Sequence, residues 1–271
     1  KMNRNVTTPS QGWALVTGAS SGIGLQYARQ LAGRGYALVI VSNEAERIVE
    51  VGEELQKEYN VKVIALYRDP SLPDAARELF TYCEENHLAI EVLINNAGVF
   101  FFNDVVEVET RRIELMLDLH VRTVTLMCHY FGGAMKKRGK GYILNMSSMS
   151  AWMPFPGITI YAASKSYLHQ FSVALRDELF DSGVSVTVVC PGAVATDLYN
   201  LSDRYKRLAI RLGIMMRPET LARKALRAMF ARRRRIIPGA LNHLFIPLMQ
   251  LLPSSLVRLI KRKSKLYRYG K

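Results

Sequence analysis

The feature that most constrains this chain is a short apolar run that breaks into glycine. Trp13–Thr17 is followed by Gly18-Ala19-Ser20-Ser21-Gly22-Ile23-Gly24, and residues 25–32 then carry a helical pattern. A buried strand, a tight turn and a helix in that order commit the chain to a layered α/β unit. The pattern then repeats. Residues 37–41, Ala-Leu-Val-Ile-Val, form a continuous apolar run, the mark of a strand covered on both faces. A charged helix over 44–58, a strand over 61–66, a helix over 73–86 and a strand over 92–95 follow. A helix over 108–138, a strand over 141–146, a helix over 160–181 and a strand over 184–190 extend the series. Such alternation predicts a doubly wound parallel sheet, without internal repeats or low-complexity linkers. One domain over 1–230 and an extension over 231–271 are expected.

The glycine loop has a chemical reading. Glycines permit the turn and let the backbone approach a pyrophosphate, while the helix N-terminus offers unpaired N–H groups to the anion. Gly18, Ser20, Ser21, Gly22, Ile23 and Gly24 are therefore candidate cofactor contacts. The spacing is Gly-x3-Gly-x-Gly, which differs from the GxGxxG of other dinucleotide folds.

Composition bounds the rest. With 49% hydrophobic and 22% charged residues the chain is globular and not disordered. Cys83, Cys128 and Cys190 cannot close a disulfide framework and form no CxxC pair, so a reducing compartment is expected and no metal site is. The polar stretch over 1–12 does not read as a signal peptide. The net charge of +14 is uneven. Residues 1–203 hold 18 Lys/Arg against 22 Asp/Glu, a net of −4, and residues 204–271 hold 19 against the single acid Glu219, a net of +18.

That asymmetry points the tail toward an electrostatic partner. Arg232 to Arg235 precede an uncharged stretch over 236–257, and basic residues resume at Arg258, Lys261, Arg262, Lys263 and Lys265. Pro238, Gly239, Pro247 and Pro253 interrupt the stretch, and Asn242, His243, Gln250, Ser254 and Ser255 dilute it, which argues against a transmembrane span. Leu244, Phe245, Ile246, Leu248, Met249, Leu251 and Leu252 between basic clusters suit a helix lying on an anionic membrane surface. The alternative is an ordinary apolar extension packed on the domain or on another subunit. Nucleic acid is disfavoured, since only Tyr267 and Tyr269 offer rings among the terminal basic residues.

Four motifs in order resemble the short-chain dehydrogenase/reductase family, over roughly residues 12–230. They are Thr17-Gly18-x3-Gly22-x-Gly24; Asn95-Asn96-Ala97-Gly98; Tyr161-Ala-Ala-Ser-Lys165, with Ser148 13 residues before the tyrosine; and Pro191-Gly192, with Thr196 beyond. The resemblance implies a Rossmann-type fold and an NAD(P)-dependent enzyme. Tyr161 and Lys165 are four apart and share a helix face. A nearby ammonium favours the phenolate, making Tyr161 a general acid for carbonyl reduction or a base in reverse. The resemblance further implies that Lys165 holds the nicotinamide ribose and Ser148 the carbonyl oxygen. It puts Asp69 on the adenine amine, Asn95, Ala97 and Gly98 along the adenosine, and Pro191, Gly192 and Thr196 at the nicotinamide. It also implies a homo-oligomer associating through the two long helices that flank the site.

One departure falls on the central helix. Asp118-Leu119-His120-Val121 carries His120 where the family often has an asparagine that holds a water in a relay to the lysine. His120 can bind a water as well, and its titration would then reshape the pH profile. The other reading is a histidine satisfied within the helix pair.

Val41-Ser42-Asn43 has no acid where NAD-preferring members grip the ribose 2′-hydroxyl. Ser42 and Asn43 can donate to a 2′-phosphate, with Arg47 within reach, so NADP(H) is expected and NAD(H) is the alternative. Ile210, Leu212, Ile214, Met215 and Met216, after Leu198 and Tyr199, form an apolar lid. Trp152, Met153, Pro154 and Phe155 add apolar wall. A small lipophilic ketone or alcohol is the expected substrate. A 3-oxo sphingoid base or a long-chain 3-oxoacyl group comes first and a steroid next, handled at the cytoplasmic face of a membrane. The rival classes are a non-catalytic dinucleotide sensor and a nucleic-acid-binding module.

Overall fold

A computed structural model describes residues 12–153, 155–196, 207, 210–211 and 215–263. Six strands follow the expected order: β1 Trp13–Thr17, β2 Ala37–Ser42, β3 Val63–Tyr67, β4 Ile90–Asn95, β5 Gly141–Met146 and β6 Val184–Val189. The helices between them are α1 Gly22–Ala32, α2 Ala45–Tyr59, α3 Ala75–Glu85, α4 Thr110–Leu117, α5 Val124–Arg138 and α6 Thr159–Glu178. Beyond them lie α7 Pro218–Phe230, β7 Arg235–Ile236, α8 Ala240–Gln250 and α9 Ser254–Lys263. The sheet runs β3-β2-β1-β4-β5-β6-β7, and every neighbouring pair is parallel.

Strand alternation builds two cores. Ala14 and Val16 face one layer, with Tyr27 of α1, Ile48 of α2 and Leu226 of α7. Leu15 faces the other, with Leu79 of α3, Phe131 of α5 and Leu168 of α6. Each strand feeds both layers, so β2 is buried along its whole length and reads as an unbroken apolar run. Strand order reverses between β1 and β4. The two connections leave the sheet in opposite directions there and open a crevice at the strands' carboxyl ends.

Two expectations are corrected. The segment over 108–138 is not one helix: α4 ends at Leu117, a π-helical turn spans Asp118–Thr123, and α5 begins at Val124. A π turn inserts a residue without glycine or proline to announce it. The sheet also continues past residue 230. Arg235 pairs with Val188 and Ile236 with Val189, so the arginine run supplies the edge strand. Its other members are tied in as well. Thr187 Oγ1 donates to Arg233 O at 2.6 Å, and Arg234 meets Asp177 at 3.1 Å. The Arg232 and Arg235 guanidiniums lie over Tyr142 and Trp152.

Among the described residues no helix is long and apolar enough to cross a membrane, and no metal-ligand cluster occurs. Cys83, Cys128 and Cys190 are free and buried.

Candidate active site

A cavity of about 350 Å³ occupies the crevice. Its floor is the glycine loop, fastened to the end of β4. Thr17 Oγ1 accepts from the Asn96 and Ala97 N–H groups at 3.0 and 3.1 Å. The Asn96 amide donates to Thr17 O at 3.0 Å and Gly18 O at 3.3 Å. Gly18 has φ +66°, and a Cβ there would lie 3.0 Å from Ala97 Cα. A Cβ on Gly24 would run into the Gly18 carbonyl oxygen. Bare glycines thus let α1 begin directly behind the loop. Ser21, at the N-cap of α1, makes no side-chain capping bond, and the first turn carries no acid. The opening N–H groups keep their capacity for an anion, so the cradle fits a dinucleotide's pyrophosphate.

The candidate catalytic side chains stand on the cavity's opposite wall, at the end of β5 and the start of α6. Ser148 follows β5, and its Oγ accepts from the Ser150 N–H at 3.1 Å. The Lys165 amine donates to Met146 O at 3.0 Å and sits 5.5 Å from the centroid of the Tyr161 ring. Ser147 Oγ donates to Lys165 O at 2.7 Å, which locks the helix to the strand. Burial pulls the Lys165 amine down to about 7, against a weak upward pull from Cys190. Phe100 meets Tyr161 edge-on with ring centres 5.0 Å apart.

His120 is wholly buried in the π turn, and both of its ring nitrogens are used. Nε2 accepts from the Val99 N–H at 3.1 Å. Nδ1 therefore carries the proton and donates to Ser164 Oγ at 2.9 Å, and Ser164 Oγ donates to Tyr161 O at 2.9 Å. Burial, helped by the charge of Lys165, holds the ring's pKa well below the usual histidine range. Of the two readings of His120, these bonds match the histidine satisfied within the helix pair: the ring is a strut that ties the β4 loop to the helix of Tyr161.

The cavity gathers Gly18, Ser20, Ser21, Gly22, Ile23, Ser42, Asn43, Asp69, Ala97, Gly98, Pro191, Gly192 and Thr196 with Ser148, Tyr161, Lys165 and His120. Two expected contacts lie elsewhere. Gly24 serves the close approach behind the loop. Asn95 is buried in the opposite layer, donating to Asn145 Oδ1 at 2.8 Å, while the Asn145 amide donates to Ser172 Oγ at 2.9 Å. Successive side chains point to opposite sides, so it is Asn96 that faces the loop. The adenosine end changes too. The Ser42 hydroxyl donates to Ser20 Oγ at 2.9 Å and accepts from the Glu44 N–H at 3.2 Å. Arg47 is held by Glu50 at 2.9 Å and Glu54 at 3.1 Å. Asp69 Oδ1 accepts from Ser71 N–H and Oγ–H at 2.9 and 2.7 Å.

The expected apolar wall also shifts. Trp152 packs on His169, ring centres 4.7 Å apart, and neither it nor Met153 or Phe155 lines the cavity. The apolar side chains that do line it include Val99, Leu115, Leu119 and Val194. Met215 is buried and Met216 half-buried; Leu198, Tyr199, Leu212, Ile214 and Pro154 lie outside the described residues. Sequence reasoning missed Asn96, Ser164, Phe100 and the Met146 carbonyl. Strand alternation would have found Asn96; a backbone acceptor leaves no trace in the residue types.

The family model described as short chain dehydrogenase matches residues 12–206. The chain belongs to the short-chain dehydrogenase family. It is 33% identical to a very-long-chain 3-oxoacyl-CoA reductase of Rattus norvegicus over 191 residues, 69% of this chain and 60% of the relative. The match to the Homo sapiens protein of that name is 34%, with the same coverage. The match thus spans about three-fifths of the length of these relatives. Among solved short-chain dehydrogenase structures, one from Sphingobium yanoikuyae in complex with NADPH is 29% identical, with a TM-score of 0.75. That match covers 89% of this chain and 96% of the other. A bulky-bulky ketone specific alcohol dehydrogenase from Comamonas testosteroni is 28% identical at TM-score 0.75, covering 91% and 96%. The relatives named here are reductases and dehydrogenases.

Proposed function

We propose that this short-chain dehydrogenase reduces the ketone of a lipophilic substrate with NADPH, a long-chain 3-oxoacyl group or 3-oxo sphingoid base being favoured. The observation that carries the reading is the convergence of Ser148, Tyr161 and Lys165 on one cavity with the glycine cradle. When bound, the reduced dinucleotide supplies a hydride for the carbonyl carbon. Tyr161 gives its phenolic proton to the carbonyl oxygen, and Ser148 donates a hydrogen bond to that oxygen. Lys165, lodged beside the ring, favours the phenolate left behind. Its amine, drawn to about 7, both gives and takes a proton near neutrality. The names of the similar 3-oxoacyl-CoA reductases support the substrate class.

NADPH is favoured because β2 ends without an acid at Ser42 or Asn43, and because the similar Sphingobium protein holds that cofactor. Asn43 is exposed at the cavity rim and remains a donor for the 2′-phosphate; Ser42 and Arg47 are already engaged. Cofactor oxidation with a long-chain 3-oxoacyl thioester, 3-ketosphinganine, oxosteroids and a small ketone tests the reading. Turnover with NADPH and a long-chain substrate is expected. Turnover with NADH alone overturns the cofactor, and with steroids alone the substrate.

We further propose that α8 and α9 rest on an anionic membrane surface. Leu241, Phe245, Leu248 and Leu251 recur at helical spacing and are all exposed, Leu251 to 80%. Arg258 and the basic residues after it follow directly, although Lys261 is paired with Asp104 at 2.5 Å. Co-sedimentation with phosphatidylserine vesicles is expected, weakened by salt. Equal binding to neutral vesicles contradicts the electrostatic part. We also propose that the chain associates into a homo-oligomer, for which light scattering is expected to give a multiple of the 30.6 kDa chain mass.

A further inference from the structure

Ser148 heads a short 3₁₀ turn, Met149–Trp152, between β5 and α6. The turn is held as one piece. Ala151 N–H donates to Ser148 O at 3.1 Å and Met153 N–H to Ser150 O at 2.9 Å. Met149 N–H ties its head to Pro191 O at 2.9 Å. Its tail is Trp152, and a shift of that ring tilts the turn and displaces the Ser148 hydroxyl.

Three elements meet at that tail. Trp152 packs on the ring of His169 of α6, with ring centres 4.7 Å apart. Arg235 of the edge strand β7 lays its guanidinium 5.5 Å from the centre of the Trp152 ring. Its Nη1 donates to His169 Nε2 at 3.4 Å. A guanidinium cannot accept a hydrogen bond, so the imidazole is neutral and carries its proton on Nδ1. His169 is buried and lies four residues past Lys165, on the same face of α6. The stack therefore fastens the Ser148 turn to the helix face that presents Lys165. Trp152, His169 and Arg235 are not among the described residues that line the first cavity.

The charges around His169 make this stack sensitive to acid. Arg235 and Arg234 act on it from β7, Lys165 stands one turn away on α6, and the nearby acid Asp177 pairs with Arg234 at 3.1 Å. Burial, helped by the two arginines, pulls the ring's pKa below the ordinary 6.5. A proton on Nε2 removes the acceptor and sets two cations side by side.

We propose that Trp152, His169 and Arg235 form a brace that positions Ser148 against the substrate carbonyl, and that acid opens it. The role of Ser148 rests on the ketone-reductase reading. Arg235 and His169 are positioning residues that act through Trp152.

The test is a double-mutant cycle. Arg235→Met removes the guanidinium and keeps the backbone pairing of β7 with Val188. It is expected to lower kcat for a long-chain 3-oxo substrate about tenfold or more, with NADPH affinity by fluorescence titration held within about twofold. In a Ser148→Ala background the same substitution is expected to change kcat less than about twofold, since no hydroxyl remains to misplace. Arg232→Met removes a like contact over Tyr142, away from the turn, and is expected to keep kcat within about twofold. A readout without turnover uses Trp13→Phe, which leaves Trp152 the only tryptophan. Its emission is expected to pass through a transition below pH 6.5. His169→Gln is expected to abolish that transition and keep the activity, because glutamine offers Arg235 an acceptor and does not titrate. Independent losses in the cycle, or an emission that shows no transition or one indifferent to His169→Gln, overturn the brace. If no 3-oxo substrate turns over, the reductase reading falls and the positioning role with it, while the emission still decides whether acid opens the stack.

Discussion

The proposed catalytic wall and the C-terminal rim, helix α8, use their side chains in opposite ways. At the wall, Tyr161, Lys165 and His120 are buried, and each is braced by named neighbours. At the rim, Leu241, Phe245, Leu248 and Leu251 are exposed and touch little of the domain. Burial at the wall changes chemistry: it drops an amine into the neutral range and fixes a histidine tautomer. Exposure at the rim leaves apolar area for another phase to cover. The difference teaches that one fold separates reaction from access, and it orders the expected size of mutational effects.

The largest effect is expected at Tyr161. Tyr161→Phe removes the proton donor and keeps the ring, so kcat should fall about 10²–10⁴-fold in cofactor-oxidation assays. A loss below tenfold would show that the wall does not perform the acid step.

Lys165→Met should cost activity on a similar scale and yet raise the melting temperature. The amine sits at about 7 in the folded chain, against the ordinary lysine value of 10.5. Below about 7 both states are protonated, and folding bears the full cost of burying the charge. Between 7 and 10.5 the unfolded chain binds more protons, so stability rises with pH and the cost fades. The gain of Lys165→Met should therefore be greatest below pH 7 and vanish above about 10.5. Thermal melts across that range check it, and a gain that grows with pH would contradict it.

An intermediate effect is expected at the strut. His120→Ala orphans the Val99 N–H and leaves Ser164 Oγ only its bond to Tyr161 O, at a cost of about 2–4 kcal/mol in denaturant unfolding. The pH–rate profile of the wild type should show no step that His120→Ala removes. A vanished acid limb would restore the titrating role.

The smallest effect sharpens the rim. Leu248→Asp with Leu251→Asp should lower binding to phosphatidylserine vesicles by about tenfold or more while leaving the melting temperature within about 2 °C, since both side chains are exposed. Unchanged sedimentation would return the stripe to a protein partner.

Legibility followed the same division. The parallel sheet was readable because β2 and its neighbours are buried on both faces, which leaves unbroken apolar runs. The glycine cradle was readable because its tight approaches admit no Cβ at Gly24. The π turn was not, because an inserted residue at Asp118–Thr123 needs no special side chain. The edge strand was hidden at the end of an arginine run, where only two residues pair with the sheet and Arg235 stays exposed. Asn95 and Asn96 were read as one motif, although alternation sends them into different layers.

The most direct test of the central claim follows the hydride itself. Wild-type protein is incubated with 4-deuterated NADPH and a long-chain 3-oxoacyl thioester, and the lipid product is examined by mass spectrometry. A 3-hydroxy product carrying one deuterium on the new carbinol carbon, absent with Tyr161→Phe, is the expected result. Cofactor binding without any deuterated alcohol from that thioester, 3-ketosphinganine or a small ketone would contradict the account and leave a dinucleotide sensor in its place.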